Sequence, residues 1–277
     1  MTDNLPSDIA TVVRSALSED IGSGDITAAL IPAAKAASAI IISREEGILC
    51  GIPWVNEVFS QIDESIRLDW VLDEGVQFDS NQILARLVGP ARALMTGERT
   101  ALNFLQTLSA TATQTHALTS LVAHTAVQLL DTRKTLPGLR TAQKYAVRTG
   151  GGRNHRMGLF DAYLIKENHI AACGGIATAI ATARHLQPQL PVEVEVQSLE
   201  QLQQALHAHA DVILLDNFDL PMLREAVASN HGQTKLEASG GIDKELLVKI
   251  AETGVDYISI GALTKHCRAI DLSLLLE

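Results

Sequence analysis

From Val127 onward the chain alternates short apolar runs with helical stretches, and no other feature limits its possible folds as tightly. Strand-like runs end at VQLLD (Asp131), AYLIK (Lys166), VEVEV (Val196), VILLD (Asp216), KLEAS (Ser239) and YISIG (Gly261). Helical patterns fill the gaps at 174–186, 198–208, 219–229 and 243–252. From Glu195 the strand ends recur after 21, 23 and 22 residues, at 195, 216, 239 and 261. Such repetition predicts a parallel sheet with right-handed crossovers. Asp131, Lys166, Glu195, Asp216, Ser239 and Gly261 all fall at strand C-termini, the rim on which an α/β barrel builds its active site. A barrel is therefore expected rather than an open doubly wound sheet. Only six strands can be counted, so eight are not supported.

The first half reads as α+β. Ile9, Val12, Val13, Ala16 and Leu17 keep helical spacing between Leu5 and Leu17, with Pro6 near the start. Strands are expected at Ala39 to Ser43, Ile66 to Leu72 and Ile83 to Val88, with a helix near Pro53 to Phe59. A long helix follows from Ala91 to His124, with a break expected near Ser109 to Thr113, where small and β-branched residues crowd.

Bulk properties exclude several classes. With 47% hydrophobic and 19% charged residues among 277, the composition is globular. The apolar runs are too short to span a bilayer, and the acidic N-terminal stretch lacks the features of a signal peptide. Cys50, Cys173 and Cys267 have no metal-type spacing, which points to a reduced, cytoplasmic setting. A net charge of -10 argues against nucleic-acid binding.

Against that acidity, residues 131–169 hold eight of the 22 Lys and Arg residues. A local cationic excess marks a focused anion site, and fork-shaped Arg donors suit carboxylate or phosphate. Arg133, Lys134 and Lys166 directly follow strand-like segments, which a merely solvated face would not require. Arg140, Lys144 and Arg148 share one helical face, suited to screening the anion site or to contacting a partner subunit more than to catalysis.

Two glycine-containing turns, Ser239-Gly240-Gly241 and Ile260-Gly261-Ala262, close late strands before helices and can bring backbone N–H groups to a phosphate. Glu193 and Glu195 alternate onto one face, inward in a barrel, where a carboxylate needs a partner. Glu193 suits a structural ion pair. Glu195 and Asp216 together suit Mg²⁺ or sugar hydroxyls. His207 and His209 lie two apart and are expected at the surface.

Several segments together resemble the quinolinate phosphoribosyltransferases, also called nicotinate-nucleotide pyrophosphorylases (carboxylating). They are TGERTALNFLQ (96–106), LLDTRKTLPGLR (129–140), NHRMGLFDAYLIKENHI (154–170), VEVEV (192–196), ILLDN (213–217) and GVDYISIGALTKH (254–266). The resemblance implies an N-terminal α/β sandwich over 1–110 and an incomplete, about seven-stranded α/β barrel over 111–267, with 268–277 packing back on the first domain. It implies a decarboxylating pentosyltransferase that joins quinolinate to phosphoribosyl pyrophosphate with Mg²⁺, yielding nicotinate mononucleotide, pyrophosphate and CO₂ for NAD synthesis.

By the same resemblance Arg133, His155, Arg156 and Lys166 hold the quinolinate carboxylates, and Arg99 reaches the pocket from the partner subunit of a homodimer. Thr132 and Lys134 line the site, Lys134 near pyrophosphate. Glu195 and Asp216 take ribose hydroxyls directly or through Mg²⁺, and Ser239, Gly240, Gly241, Ile260, Gly261 and Ala262 take the 5-phosphate. Catalytic weight is expected at Lys134, Lys166, Glu195 and Asp216. The chain departs from the family in placing Lys265, not His, directly after GALT, with His266 next; either could face the phosphate. Asn168 and His169 either brace the Lys166 strand end or touch substrate. Alternatives within the fold are a ModD-like phosphoribosyltransferase and a nicotinate phosphoribosyltransferase. A non-catalytic phosphometabolite-binding protein is the rival from another class.

Overall fold

The computed structural model describes residues 5–277; residues 1–4, where the expected 1–110 domain begins, lie outside them. In chain order the helices are α1 (Ile9–Ile21), α2 (Ile52–Ile62), α3 (Ala91–Leu121), α4 (Arg140–Thr149), α5 (Glu167–Cys173), α6 (Ile176–Leu186), α7 (Leu199–His207), α8 (Leu220–Asn230), α9 (Lys244–Ala251) and α10 (Ala262–Lys265). The strands are β1 (Ala36–Ser43), β2 (Gly47–Ile48), β3 (Arg67–Trp70), β4 (Gln77–Phe78), β5 (Ile83–Pro90), β6 (Gln128–Leu130), β7 (Tyr163–Ile165), β8 (Val192–Val196), β9 (Val212–Asp216), β10 (Lys235–Ser239), β11 (Tyr257–Ser259) and β12 (Leu272–Leu276).

These elements form two compact units, and the chain passes between them more than once. Unit 1 takes the described residues up to His116 together with Thr135–Gly151 and Ala262–Glu277; unit 2 takes Ala117–Lys134 and Gly152–Gly261. Segment 135–151 groups with unit 1 because Ala142 and Ala146 of α4 belong to its apolar core. Segment 262–267 follows it, since Gln143 Nε2 donates to Thr264 O at 2.8 Å.

Unit 1 is built on a four-stranded antiparallel sheet in the order β12-β1-β5-β3. Its core is lined by Ile41, Trp54, Phe59, Leu87, Leu105 and Leu274, among others. Helix α3 runs unbroken for 31 residues, so the expected interruption near Ser109 to Thr113 is absent. Its hydroxyls explain this: Thr111 and Thr115 donate to the carbonyls of Thr107 and Thr111 at 3.2 and 2.8 Å, within the helix's own ladder. Ser109 and Thr113 accept the backbone N–H groups of Cys50 and Ile48 at 3.0 and 2.8 Å. The small residues are docking points for a neighbouring loop, not a break.

Unit 2 is a six-stranded parallel sheet in the order β6-β11-β10-β9-β8-β7, in a barrel-like α/β arrangement. In place of a seventh strand, Arg153 makes a single parallel bridge to Leu130, with Arg153 N donating to Leu129 O at 2.8 Å. On β8, Val192, Val194 and Val196 alternate with Glu193 and Glu195, and all five are buried. Helices α7, α8 and α9 begin at Ser198, Asp219 and Asp243, whose side chains accept the N–H of Gln201, Met222 and Leu246. Each cap contributes roughly 1 kcal/mol and fixes where a strand-to-helix loop ends.

Candidate active site

Within unit 2 the strand ends gather the charged groups. Beyond β6, the fully buried Asp131 carboxylate accepts Asn154 Nδ2 at 2.6 Å and His155 N at 2.9 Å. This carboxylate ties segment 153–156 to the β6 end. Asp161 accepts the N–H groups of Met157 and Gly158 at 2.7 and 3.0 Å, closing the next turn. Arg156 then donates to Ala162 O at 3.3 Å. Its guanidinium has a lowered proton affinity, from desolvation first and from the neighbouring Arg133 charge second, while Glu193 and Asp161 oppose the shift. Arg133 Nε is buried and has no hydrogen-bond partner. Such a donor costs about 1–3 kcal/mol when left unmatched. Two adjacent guanidiniums, one holding an unmatched buried donor, can accept an anion.

The next pair along the rim is Lys166 and Glu195, joined directly by Nζ and Oε2. Glu195 is nearly buried and Lys166 half-exposed. Lys166 N–H donates to His169 Nδ1 at 3.0 Å, so His169 braces the start of α5. Asp216 ends the adjacent strand, in register with Ser239.

The model of the quinolinate phosphoribosyl transferase C-terminal domain matches residues 111–275, and that of the N-terminal domain matches 25–109. The chain belongs to this family. It is 42% identical over 271 residues to the nicotinate-nucleotide pyrophosphorylase (carboxylating) of Mycobacterium leprae, covering 95% of each chain. The solved nicotinate-nucleotide pyrophosphorylase of Francisella tularensis is 50% identical with a TM-score of 0.96, covering 99% of this chain and 98% of that one. The Streptococcus pyogenes structure named NadC is 37% identical, also with a TM-score of 0.96, covering 100% of this chain and 99% of that one.

Among the residues expected from the family resemblance, Thr132, Arg133, Lys134, His155, Arg156, Lys166, Glu195, Asp216, Ser239, Gly240, Gly241, Ile260 and Gly261 all lie in unit 2. Thr132 and Lys134 sit over Gly261: a Cβ there would meet Lys134 Cδ at 3.0 Å and Thr132 Oγ1 at 3.6 Å. Gly240 has φ +111°, and a side chain on it would run into the Asn217 carboxamide. The Ser239–Gly241 turn is thus shaped by glycine, with Asn217 N donating to Ser239 O at 3.0 Å. Arg99 and Ala262 belong to unit 1. Arg99 projects from α3, with its side chain 57% exposed and 3.9 Å from Glu98. Lys265 and His266 are both exposed. Lys144 is fully buried in unit 1, so the row 140–148 is not a solvated stripe.

One residue of the site has no counterpart in the sequence reading. Glu237, in the middle of β10, is 1% exposed and lies with Glu193 around His155 Nε2, at 3.6 and 2.9 Å. The signal was available: Glu237 precedes Ser239 by two, so both face the same side of the strand. These three residues help line a cavity of about 240 Å³ with Arg153, Arg156 and Tyr257.

Proposed function

We propose that this protein is a quinolinate phosphoribosyltransferase, converting quinolinate and phosphoribosyl pyrophosphate to nicotinate mononucleotide, pyrophosphate and CO₂ in NAD synthesis. The observation that carries the reading is the pair Arg133 and Arg156, with the unmatched buried Nε of Arg133. Two guanidiniums in mutual repulsion suit a dianion better than a monoanion, which favours the dicarboxylate quinolinate over nicotinate.

The residues divide the work by charge. Arg133, Arg156 and Lys166 form the quinolinate side of the site, with His155 bracing the Arg156 backbone behind them, and Thr132 and Lys134 form the pyrophosphate side. The Glu195 and Asp216 carboxylates face the ribose hydroxyls and stabilise the positive charge that develops at C1 as pyrophosphate departs. The turns Ser239–Gly241 and Ile260–Ala262 offer backbone donors to the 5-phosphate. The pyridine nitrogen forms its bond to C1 as the C1–oxygen bond breaks toward pyrophosphate. As CO₂ leaves, the electron pair of the broken C2–carboxylate bond stays on C2, stabilised by the adjacent positive nitrogen, and C2 then takes a proton from solvent. Holding the two anionic substrates in register supplies much of the acceleration, and the reaction needs no covalent nucleophile.

Two carboxylates at adjacent strand ends, one already neutralised by Lys166, are too few for a dedicated metal cage. They fit a Mg²⁺ that keeps most of its waters and arrives on substrate phosphates. When bound, it would offset the charge of the departing pyrophosphate. The working form in this reading is a cytoplasmic homodimer in which the exposed Arg99 completes its partner's pocket. The test is product formation from quinolinate and from nicotinate, each with phosphoribosyl pyrophosphate and Mg²⁺. Nicotinate mononucleotide should form from quinolinate; formation from nicotinate alone would overturn the reading.

A further inference from the structure

Glu193, Glu237 and His155 bring three potential ligand atoms within 4.8 Å of one another, close enough to hold a metal ion. The second ring nitrogen decides against that. His155 Nδ1 accepts the backbone N–H of Arg156 at 2.8 Å, so the ring hydrogen sits on Nε2. An Nε2–H has no lone pair for a metal; it points instead at Glu193 Oε2, 2.9 Å away. Both ring nitrogens thus join the carboxylate pair to the Arg156 backbone.

We propose that Glu193 and Glu237 are positioning residues for the anion clamp: Glu193 holds the Nε2–H form of His155, and the buried Glu237 backs it from β10. The chain of contacts runs from Glu237 through Glu193 and His155 to the Arg156 backbone, and so to the guanidinium beside Arg133. Burial first, then the Glu193 charge, push the Glu237 carboxyl up to about 8, while His155 and Ser259 oppose the shift. A second buried carboxylate anion here would pull a proton onto Nδ1 and set it against the Arg156 N–H. Each carboxyl also keeps one oxygen, Oε1, buried without a partner. Within the fold alone that is unfavourable, and it is consistent with selection for the clamp instead of for stability.

The proposal rests on Arg133 and Arg156 binding quinolinate. If that reading fails, the wild-type enzyme releases no CO₂ from quinolinate; failure of the present inference shows in an active enzyme. Steady-state constants for both substrates should be measured for Glu193→Gln, Glu237→Leu and Glu237→Gln. Glu193→Gln and Glu237→Leu should each raise KM for quinolinate about tenfold or more, with KM for phosphoribosyl pyrophosphate and kcat within about threefold of wild type. Glu237→Gln, an uncharged isostere, should recover most of what Glu237→Leu loses. Should the variants fold poorly, nitrogen NMR of histidine-labelled wild-type protein reads the ring directly, with an Nε2–H and bare Nδ1 pattern expected for His155. An Nδ1–H pattern, stoichiometric Zn²⁺ binding lost in Glu193→Gln, or parallel losses in both substrates' constants would each overturn the proposal.

Discussion

Replacing Glu237 by Gln should change how stability depends on pH, with a sign set by the buried pair. The unfolded chain releases the Glu237 proton near 4.5, whereas the folded chain holds it to about 8. Between those values the folded state binds more protons than the unfolded state, so stability falls as pH rises and levels off above about 8. At 1.36 kcal/mol per unit, the full shift corresponds to about 5 kcal/mol. Glu193 shares the repulsion, so a penalty on the order of 2–4 kcal/mol is expected between pH 5 and pH 9. Gln cannot ionise, and Glu237→Gln should lack this term. Urea denaturation midpoints at pH 5, 7 and 9 for both proteins give the test, because the difference between variants cancels the other titrating groups. The variant should gain on wild type steadily as pH rises. Parallel curves would show that Glu237 is not an uncharged acid in the folded protein and would refute its role behind His155.

Arg133→Lys keeps the charge but removes the fork and its buried Nε donor; quinolinate KM should rise about 10- to 100-fold, with KM for phosphoribosyl pyrophosphate unchanged in the same assay. Gly240→Ala forces a side chain onto the Asn217 carboxamide at φ +111°, so a thermal melt should show a loss of about 1–3 kcal/mol, with KM for phosphoribosyl pyrophosphate raised. Mixing Arg99→Ala subunits with Lys166→Met subunits should restore part of the activity that each lacks alone, and no restoration on mixing would count against a site shared between subunits.

The parallel half of the fold was legible because short apolar-rich runs recur at even spacing, alternate with helical stretches, and end in polar residues such as Asp216 and Ser239. Rim residues could be read the same way: Lys166 and Glu195, each placed at a strand end, are joined in the structure. The unbroken α3 was not legible, since Ser109 and Thr113 are satisfied by Cys50 and Ile48, a partner loop about 60 residues away in sequence. The one-residue bridge of Arg153 carries no local periodicity to reveal it. Glu237 was not legible because a single acid in a short strand resembles any other strand residue until His155 and Glu193 are placed around it. Helix α4 showed its row of cations, but not the burial of Lys144 that makes this row part of unit 1.

The most direct measurement is the stoichiometry of a single reaction mixture of quinolinate, phosphoribosyl pyrophosphate and Mg²⁺. Carboxyl-labelled quinolinate should release labelled CO₂ in equal amounts with pyrophosphate and nicotinate mononucleotide, and omission of either substrate should abolish all three. Pyrophosphate without CO₂, or turnover on nicotinate with none on quinolinate, would contradict the account of Arg133 and Arg156 as a clamp for a dicarboxylate that loses one of its carboxylates.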